Sequence, residues 1–433
     1  MNRQQWMRIA LVCLLGLVFL SVFLRRSPLQ LPIHVDEWHH LSESRSIFEG
    51  KYVWSYDSYR VGFHLMLLPL WILPHPAILA TLIPGLLAAL AGFFLFRLMR
   101  RQYDTYTGLG AVAIFGLLGS SFNLLGKDLL VPLGASLPFL FLYLDRYIRW
   151  IQGDGKSRWW FFFWFGLSSF IYPLSGMMFL PFLLIWSRRR IKKLWPLLFV
   201  ITVGAAFLFL IEGRFDSLLF WKGWSMVELN NSIFELLPLS VVALGIVGTI
   251  YCVRKKKLFW PAFSVVLVLW VVFFRIFGVS PLVPYQRVFF YFALSIVFLA
   301  VGGFHMLGRL RIPILVVLVL LLFMQPSLLE DRNVFIDDLD YRMLSHLAKH
   351  PDGTVLTHPG QGIAVYPITG MDAFTTIYFE NMAPEEKAAL RKEAKYQLLH
   401  CNESDAAYFY TDYPIECGEV LRREGFRFII KNE

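Results

Sequence analysis

The densest group of residues able to do chemistry is His34-Val35-Asp36-Glu37-Trp38-His39-His40, followed by Glu43, Arg45 and Glu49. It lies just beyond an apolar run, residues 9–24, which follows Arg3 and Arg8 and closes on Arg25 and Arg26. On a helix, positions 36, 40 and 43 fall near one face, because side chains three and four apart are neighbours. Two adjacent carboxylates among three histidines can supply a general base, a metal ligand, or both. The same residues would equally make a solvated polar helix at a membrane surface. His34, His39 and His40 could bind a divalent metal ion (Mg, Mn or Zn), or stand as plain polar residues. Two other places carry charge at the edge of apolar blocks. Lys127-Asp128, in SSFNLLGKDLL, can form a boundary ion pair. Arg287, in PYQRVFFY, suits a phosphate through its forked donors, or anchors a helix end beside Tyr285 and Tyr291.

The elements that must position these residues follow from composition. Hydrophobic residues make up 57% of the chain and charged residues 17%. Soluble domains carry roughly 25% charged residues, so the chain reads as a polytopic α-helical membrane protein. The net charge of +10 does not mark a nucleic-acid groove. The basic residues fall in short clusters between apolar blocks: Arg97, Arg100 and Arg101; Arg188 to Lys193; Arg254 to Lys257; Arg309 and Arg311. Such clusters are cytoplasmic anchors. The apolar blocks are 9–24, 77–98, 109–125, 129–144, 159–172, 175–186, 194–211, 236–253, 258–277, 288–307 and 312–324. They predict about eleven transmembrane helices, some short of the usual ~20 residues. Pro173 and Gly176 mark the turn that splits 159–186 into two. No small-residue cleavage site follows residue 24, so the first helix reads as retained.

The basic clusters set the sides. The N-terminus is expected in the cytoplasm; the loop 25–60, the loops at 127–128, 213–235 and 278–287, and the tail after 324 are expected outside. Residues 61–74 are apolar but would extend only about 21 Å as a helix, and with His64, Pro69 and Trp71 they suit an interfacial helix; were they to cross instead, the loop 25–60 would be cytoplasmic. The chain thus divides into a transmembrane module, 1–326, and a small extracytoplasmic soluble α/β domain, 327–433. In that domain 354–357, 363–368, 406–410 and 426–430 read as strands. Pro384, with Glu385 and Glu386 behind it, opens a helix, and another helix is expected near 419–424. Cys401 and Cys417 could pair as a disulfide in an oxidising compartment, or remain thiols. The sequons at Asn230 and Asn402 are short patterns that arise by chance.

A first membrane helix, an acidic pair in the loop behind it, and a second outer-loop acid together resemble the GT-C glycosyltransferase superfamily. Asp36-Glu37 matches the first acidic motif, and Asp128 the second. Arg287 resembles the arginine that holds a lipid-linked phosphate. A soluble domain after the last span is also usual. The resemblance implies an inverting, hexosyltransferase-type membrane enzyme. It would move a sugar from a polyprenyl-phosphate donor to a lipid, glycan or protein acceptor on the extracytoplasmic side. Asp36 would be the base, Glu37 its rival or a metal ligand, and Lys127, Asp128, His40 and Arg287 would bind substrate. The WWDYG-type motif of oligosaccharyltransferases is absent, which argues against transfer to asparagine. The rival class is a membrane transporter or a lipid or polysaccharide flippase, which would place ionisable residues deep within the spans. Here the acids gather at the outer boundary.

Overall fold

Most of the long apolar blocks become helices in the structure, a computed structural model, although the block 109–125 is helical only as far as Gly116. The structure describes residues 2–26, 31–52, 60–120, 124, 126–186, 220–222, 232–281, 283, 285–325, 336–373, 384–399, 404–412, 415 and 417–432. The expected span 194–211, the basic cluster from Arg188 to Lys193, Cys401, and the sequon residues Asn230 and Asn402 lie outside these. In chain order the first helices are α1 (Arg3–Arg26), α2 (Val35–Phe48), α3 (Val61–Leu67), α4 (Pro76–Ala80), α5 (Ile83–Gln102), α6 (Thr105–Gly116), α7 (Pro132–Ile151), α8 (Ser157–Ile171) and α9 (Pro173–Trp186). Next come α10 (Leu239–Arg254), α11 (Phe259–Phe277), α12 (Tyr285–Met306), α13 (Arg311–Phe323), α14 (Asp338–Leu347), α15 (Pro359–Thr369) and α16 (Pro384–Leu399). Strands β1 (Phe220–Lys222) and β2 (Val279–Pro281) pair antiparallel. The others are β3 (Thr354–Thr357), β4 (Asp372–Ala373), β5 (Tyr408–Thr411), β6 (Glu419–Glu424) and β7 (Arg427–Lys431).

Among the described residues four helical stretches are long and apolar enough to cross a membrane: Gln4–Arg26, Pro76–Gln102, Phe259–Phe277 and Tyr285–Met306. The stretch Val61–Ile72 spans about 18 Å at 1.5 Å per residue, well short of a hydrocarbon core of about 30 Å.

The chain forms two compact units. The first comprises Met1–Arg25, Trp54–Phe63 and Leu82–Leu328; the second comprises Arg26–Val53, His64–Thr81 and Leu329–Glu433. In the first unit α12 is the central helix, with 83% of its apolar window buried. It meets α10 backbone to backbone. A Cβ on Gly248 would lie 1.7 Å from Leu299 O, and one on Gly303 would lie 2.1 Å from Leu244 O. Small residues permit this approach, which is how helices associate where lipid offers no hydrophobic driving force. A buried hydroxyl chain adds direction: Ser136 Oγ meets Ser175 Oγ at 2.5 Å, and Ser175 Oγ meets Tyr291 Oη at 2.8 Å. These bonds tie α7, α9 and α12. The break at Tyr172, between α8 and α9, falls where Pro173 predicts it.

The second unit holds a five-stranded sheet of order β4-β3-β5-β7-β6. β3 runs parallel to β4 and β5, and β7 runs antiparallel to β5 and β6. β5 is buried throughout. Phe409 and Ile430, paired across the ladder, pack with Leu356 and with Leu398 of α16. The neighbouring pair Tyr410 and Ile429 faces the other way, where Tyr410 Oη donates to Asp340 of α14.

Two sequence expectations are corrected here. Residues 363–368 are not a strand; they lie in α15, which Pro359 opens at its first position. An apolar run this short does not distinguish strand from helix by periodicity. Residues 419–424 are not a helix; they are the edge strand β6. Glu424 pairs with Arg427 across Gly425-Phe426, and Gly425 has φ 63°, as a two-residue hairpin turn requires. β3, β5, β7 and the helix opened by Pro384 fall where the sequence places them, within a residue or two.

Candidate active site

Asp36 and Glu37 occupy the first turn of α2, where the helix dipole favours acids. The turn is built around Glu37. Its carboxylate accepts from the backbone N–H groups of Ile33 (2.7 Å) and His34 (3.1 Å). It also takes both terminal nitrogens of Arg26, at 2.6 and 3.2 Å. Glu37 is fully buried and Arg26 nearly so. The His34 ring caps the helix, its Nδ1 accepting from Asp36 N at 3.1 Å. Asp36 Oδ1 stands 3.8 Å from that Nδ1.

One turn further along α2, His40 Nδ1 lies 3.0 Å from His64 Nε2. Such a pair shares one proton. Ser44 Oγ donates to His64 O, and Trp71 Nε1 donates to Ser44 Oγ, each at 3.0 Å. His39 is buried beside His40, the ring centroids 5.5 Å apart. The far end of α2 is held by Arg45, which donates to the carbonyls of Tyr366 and Pro367 at 3.0 and 3.1 Å. Glu49 accepts from Arg45 Nε at 2.6 Å and from Tyr366 Oη at 3.0 Å.

In the first unit the loop from α6 to α7 carries a second charged group. Asp128 Oδ2 faces Arg25 at 2.9 Å, and Asp128 Oδ1 faces Lys127 Nζ at 2.7 Å. Its backbone N–H donates to Ser120 Oγ at 3.2 Å. All three charged side chains are buried. Burial would raise the Asp128 carboxyl, but Arg25 and Lys127 outweigh it and hold it below the usual range. Lys127 is pushed down to about 8, by burial above all; Asp128 opposes that shift and the like charge of Arg25 adds to it. Phe290 packs on the same loop, its ring 2.8 Å from where a Cβ on Gly126 would stand. Arg287, half-buried in the first turn of α12, is therefore carried at the same end of this unit.

The structure thus brings His34, Asp36, Glu37, His39 and His40 together in one unit, and Lys127, Asp128 and Arg287 to one end of the other. Cys417 is disulfide-bonded, while Cys13 and Cys252 are free. The sequence reading missed Arg25, Arg26 and His64. A signal for the arginines was available: two cations end an apolar helix a few residues ahead of an acidic pair. Glu37 and Asp128 already face cations, and His34 Nδ1 is occupied by a backbone N–H. Among the described residues no group of three or more His, Cys, Asp and Glu could hold a metal ion.

The fold is similar to that of solved archaeal oligosaccharyltransferases. Solved structures that share it include the Archaeoglobus fulgidus oligosaccharyltransferase tethered with an acceptor peptide containing the NVT sequon. That match has 12% identity and a TM-score of 0.51, and covers 95% of this chain and 69% of that one. The archaeal oligosaccharyltransferase AglB from Archaeoglobus fulgidus, in complex with an inhibitory peptide and a dolichol-phosphate, matches at 11% identity with a TM-score of 0.52, over 95% and 70% of the two chains. A complex of the Archaeoglobus fulgidus enzyme with Zn and sulfate matches at 12% identity with a TM-score of 0.50, over 92% and 68%. No protein-family profile matches the sequence, and no curated protein matches it.

Proposed function

We propose that the protein is an integral membrane glycosyltransferase that uses a polyprenyl-phosphate-linked sugar. The observation that carries this reading is the buried Arg25–Asp128–Lys127 cluster within a GT-C fold. A lysine held near 8 by burial and a neighbouring guanidinium gains stability when an anion arrives, and a departing lipid phosphate is such an anion. Charged donors aimed at developing negative charge in a water-poor site are worth far more than in bulk water. Arg287 is assigned to the same phosphate.

Asp36 is assigned as the base. It takes the proton from the acceptor hydroxyl or amine as the new bond to the sugar's anomeric carbon forms. The bond to the phosphate oxygen breaks, and its electron pair leaves with the phosphate. One displacement of this kind inverts the anomeric centre. The phosphate is already a good leaving group, so the departing side needs positive charge rather than a strong acid. Glu37 acts by holding the turn that presents Asp36. No step is assigned to a metal ion.

In this reading the chain crosses the membrane about eleven times, residues 61–74 lie at the interface, and the N-terminus is cytoplasmic. Asp36, Asp128 and the C-terminal α/β domain lie outside, where Cys401 is the expected partner of Cys417. The acceptor is a lipid, a glycan or a protein. The test supplies purified protein with a panel of polyprenyl-phosphate sugars in membrane extract and measures loss of donor. Consumption that requires Asp36 supports the reading; no consumption of any donor by folded protein overturns it.

A further inference from the structure

A second charged feature stands at the other end of α7. That helix runs 20 residues from the Lys127–Asp128 loop to Ile151, about 30 Å. Around its last turn lies a cavity of about 360 Å³, closed by the C-terminal ends of α5 and α10 and the first turn of α11. Arg101, Lys256 and Lys257 supply its charge, and Tyr103 and Trp260 its aromatic wall; most of the remaining lining is apolar. Arg101 and Arg149 both pair with Asp145. Among the described residues no carboxylate pairs with Lys256 or Lys257, and both are exposed. Lys257 is held at the cavity by aromatic faces, with Nζ 4.5 Å from the Tyr103 ring centroid and 5.8 Å from that of Tyr251.

Lys256 is conformationally unusual. Its φ is 56°, and the amides of Lys256 and Lys257 close back on Val253 O at 3.0 Å and Cys252 O at 2.8 Å. This is the left-handed turn that ends helices, where glycine is preferred. A lysine is strained there, and strain of this sort gathers at functional sites. The position in the fold points to the ligand. α5 and α11 both belong to stretches long enough to cross a membrane, and the cavity lies at their ends. Lysine, arginine, tyrosine and tryptophan at that depth meet lipid headgroups, and basic pockets between membrane helices take acidic ones.

We infer that this cavity binds the phosphate headgroup of an anionic phospholipid, on the face of the protein opposite to Asp128. Lys256 and Lys257 contact the phosphate, Tyr103 and Trp260 stand at the boundary with the acyl chains, and the apolar wall receives the first methylenes. The site is separate from the transfer reaction, and its test needs neither donor nor acceptor.

The test is native mass spectrometry of the full-length protein in detergent, titrated with phosphatidylglycerol, phosphatidylcholine or inorganic phosphate. Phosphatidylglycerol is expected to be retained at least about tenfold better than phosphatidylcholine, since each lysine near an anionic surface contributes measurably. The variant Lys256→Gly/Lys257→Gln should lose that preference. Lys256→Gly alone should raise the thermal unfolding temperature in lipid-free detergent while weakening retention, a pairing that a merely structural lysine would not produce. Lys257→Gln alone, which leaves the helix-end turn intact, should weaken retention several-fold. Lys255→Gln, one residue outside the cavity, should change nothing. Equal retention of the two lipids by the unmodified protein overturns the inference. So does a folded double variant that keeps its preference, an equal effect of Lys255→Gln, or displacement of the lipid by inorganic phosphate at equal concentration.

Discussion

Replacing Glu37 by Gln removes the charge that Arg26 meets at 2.6 Å in a buried turn. Breaking one side of a buried pair costs about 3–5 kcal/mol, so Glu37→Gln is expected to lower the unfolding temperature sharply and to reduce transfer through loss of folded protein. Asp36→Asn should leave the unfolding temperature unchanged and lower transfer about 10²–10⁴-fold, the contribution of a general base. Measuring transfer per folded molecule separates the two variants; a folded Asp36→Asn at full activity removes the assigned base. Chelation is a third measurement at this scale. Glu37 and Asp128 face internal cations, so transfer is expected to survive an excess of EDTA, and its abolition with rescue by one divalent ion would show that a metal is used. The acids were legible in the sequence because an acidic pair behind an apolar helix is conspicuous. Their partners were not. Arg25 and Arg26 follow a membrane helix, where arginine ordinarily marks the interface, and only the fold shows that each faces a buried carboxylate.

At the level of elements, α2 is secured at both ends by arginines. Arg45 gives two hydrogen bonds to the last carbonyls of α15 and one to Glu49. Hydrogen bonds from a charged donor contribute about 1.5–3 kcal/mol each. Arg45→Ala is therefore expected to lower the unfolding temperature of the second unit by several degrees and to open α2 to hydrogen exchange, with α10 and α12 unchanged. Uniform loss of protection across both units would refute that division. The helices of the first unit were legible because apolar length alone defines them. The second unit was legible only in part. β5 could be read because a strand buried on both faces is continuously apolar. Residues 363–368 look the same in composition and are helical, since Pro359 starts the helix ahead of them. β6 looks helical because its residues are charged, as an exposed sheet edge requires.

For the molecule as a whole, sidedness is the first matter to test. In a background without Cys13 and Cys252, Ser42→Cys is expected to react with a membrane-impermeant thiol reagent added from outside, and Lys255→Cys only after the membrane is opened. The reverse pattern would invert the topology and remove Asp36 from the outer face. Acid stability is the second. Burial raises Asp340 to about 6, over the opposing donors Tyr410 and Arg427. The folded chain then holds this proton more tightly than the unfolded chain, whose carboxyl titrates near 3.8. The contribution of Asp340 is full below that value and is lost as pH rises through about 6. Asp337, held below its usual range by Arg427 against its own burial, acts in the opposite sense and only in stronger acid. Asp340→Asn should abolish the slope of unfolding temperature against pH between about 4 and 6; an unchanged slope would assign it to another group. The bond from Arg45 to Tyr366 also joins residues separated by 321 positions. A ribosome adds about 5–20 residues per second, so Arg45 waits roughly 15–60 s for its acceptors to be made. Glu37 needs no such wait, since Arg26, Ile33 and His34 precede it. The acidic turn can close while most of the protein has yet to be synthesised, and it must keep its shape until the rest of its own unit is made.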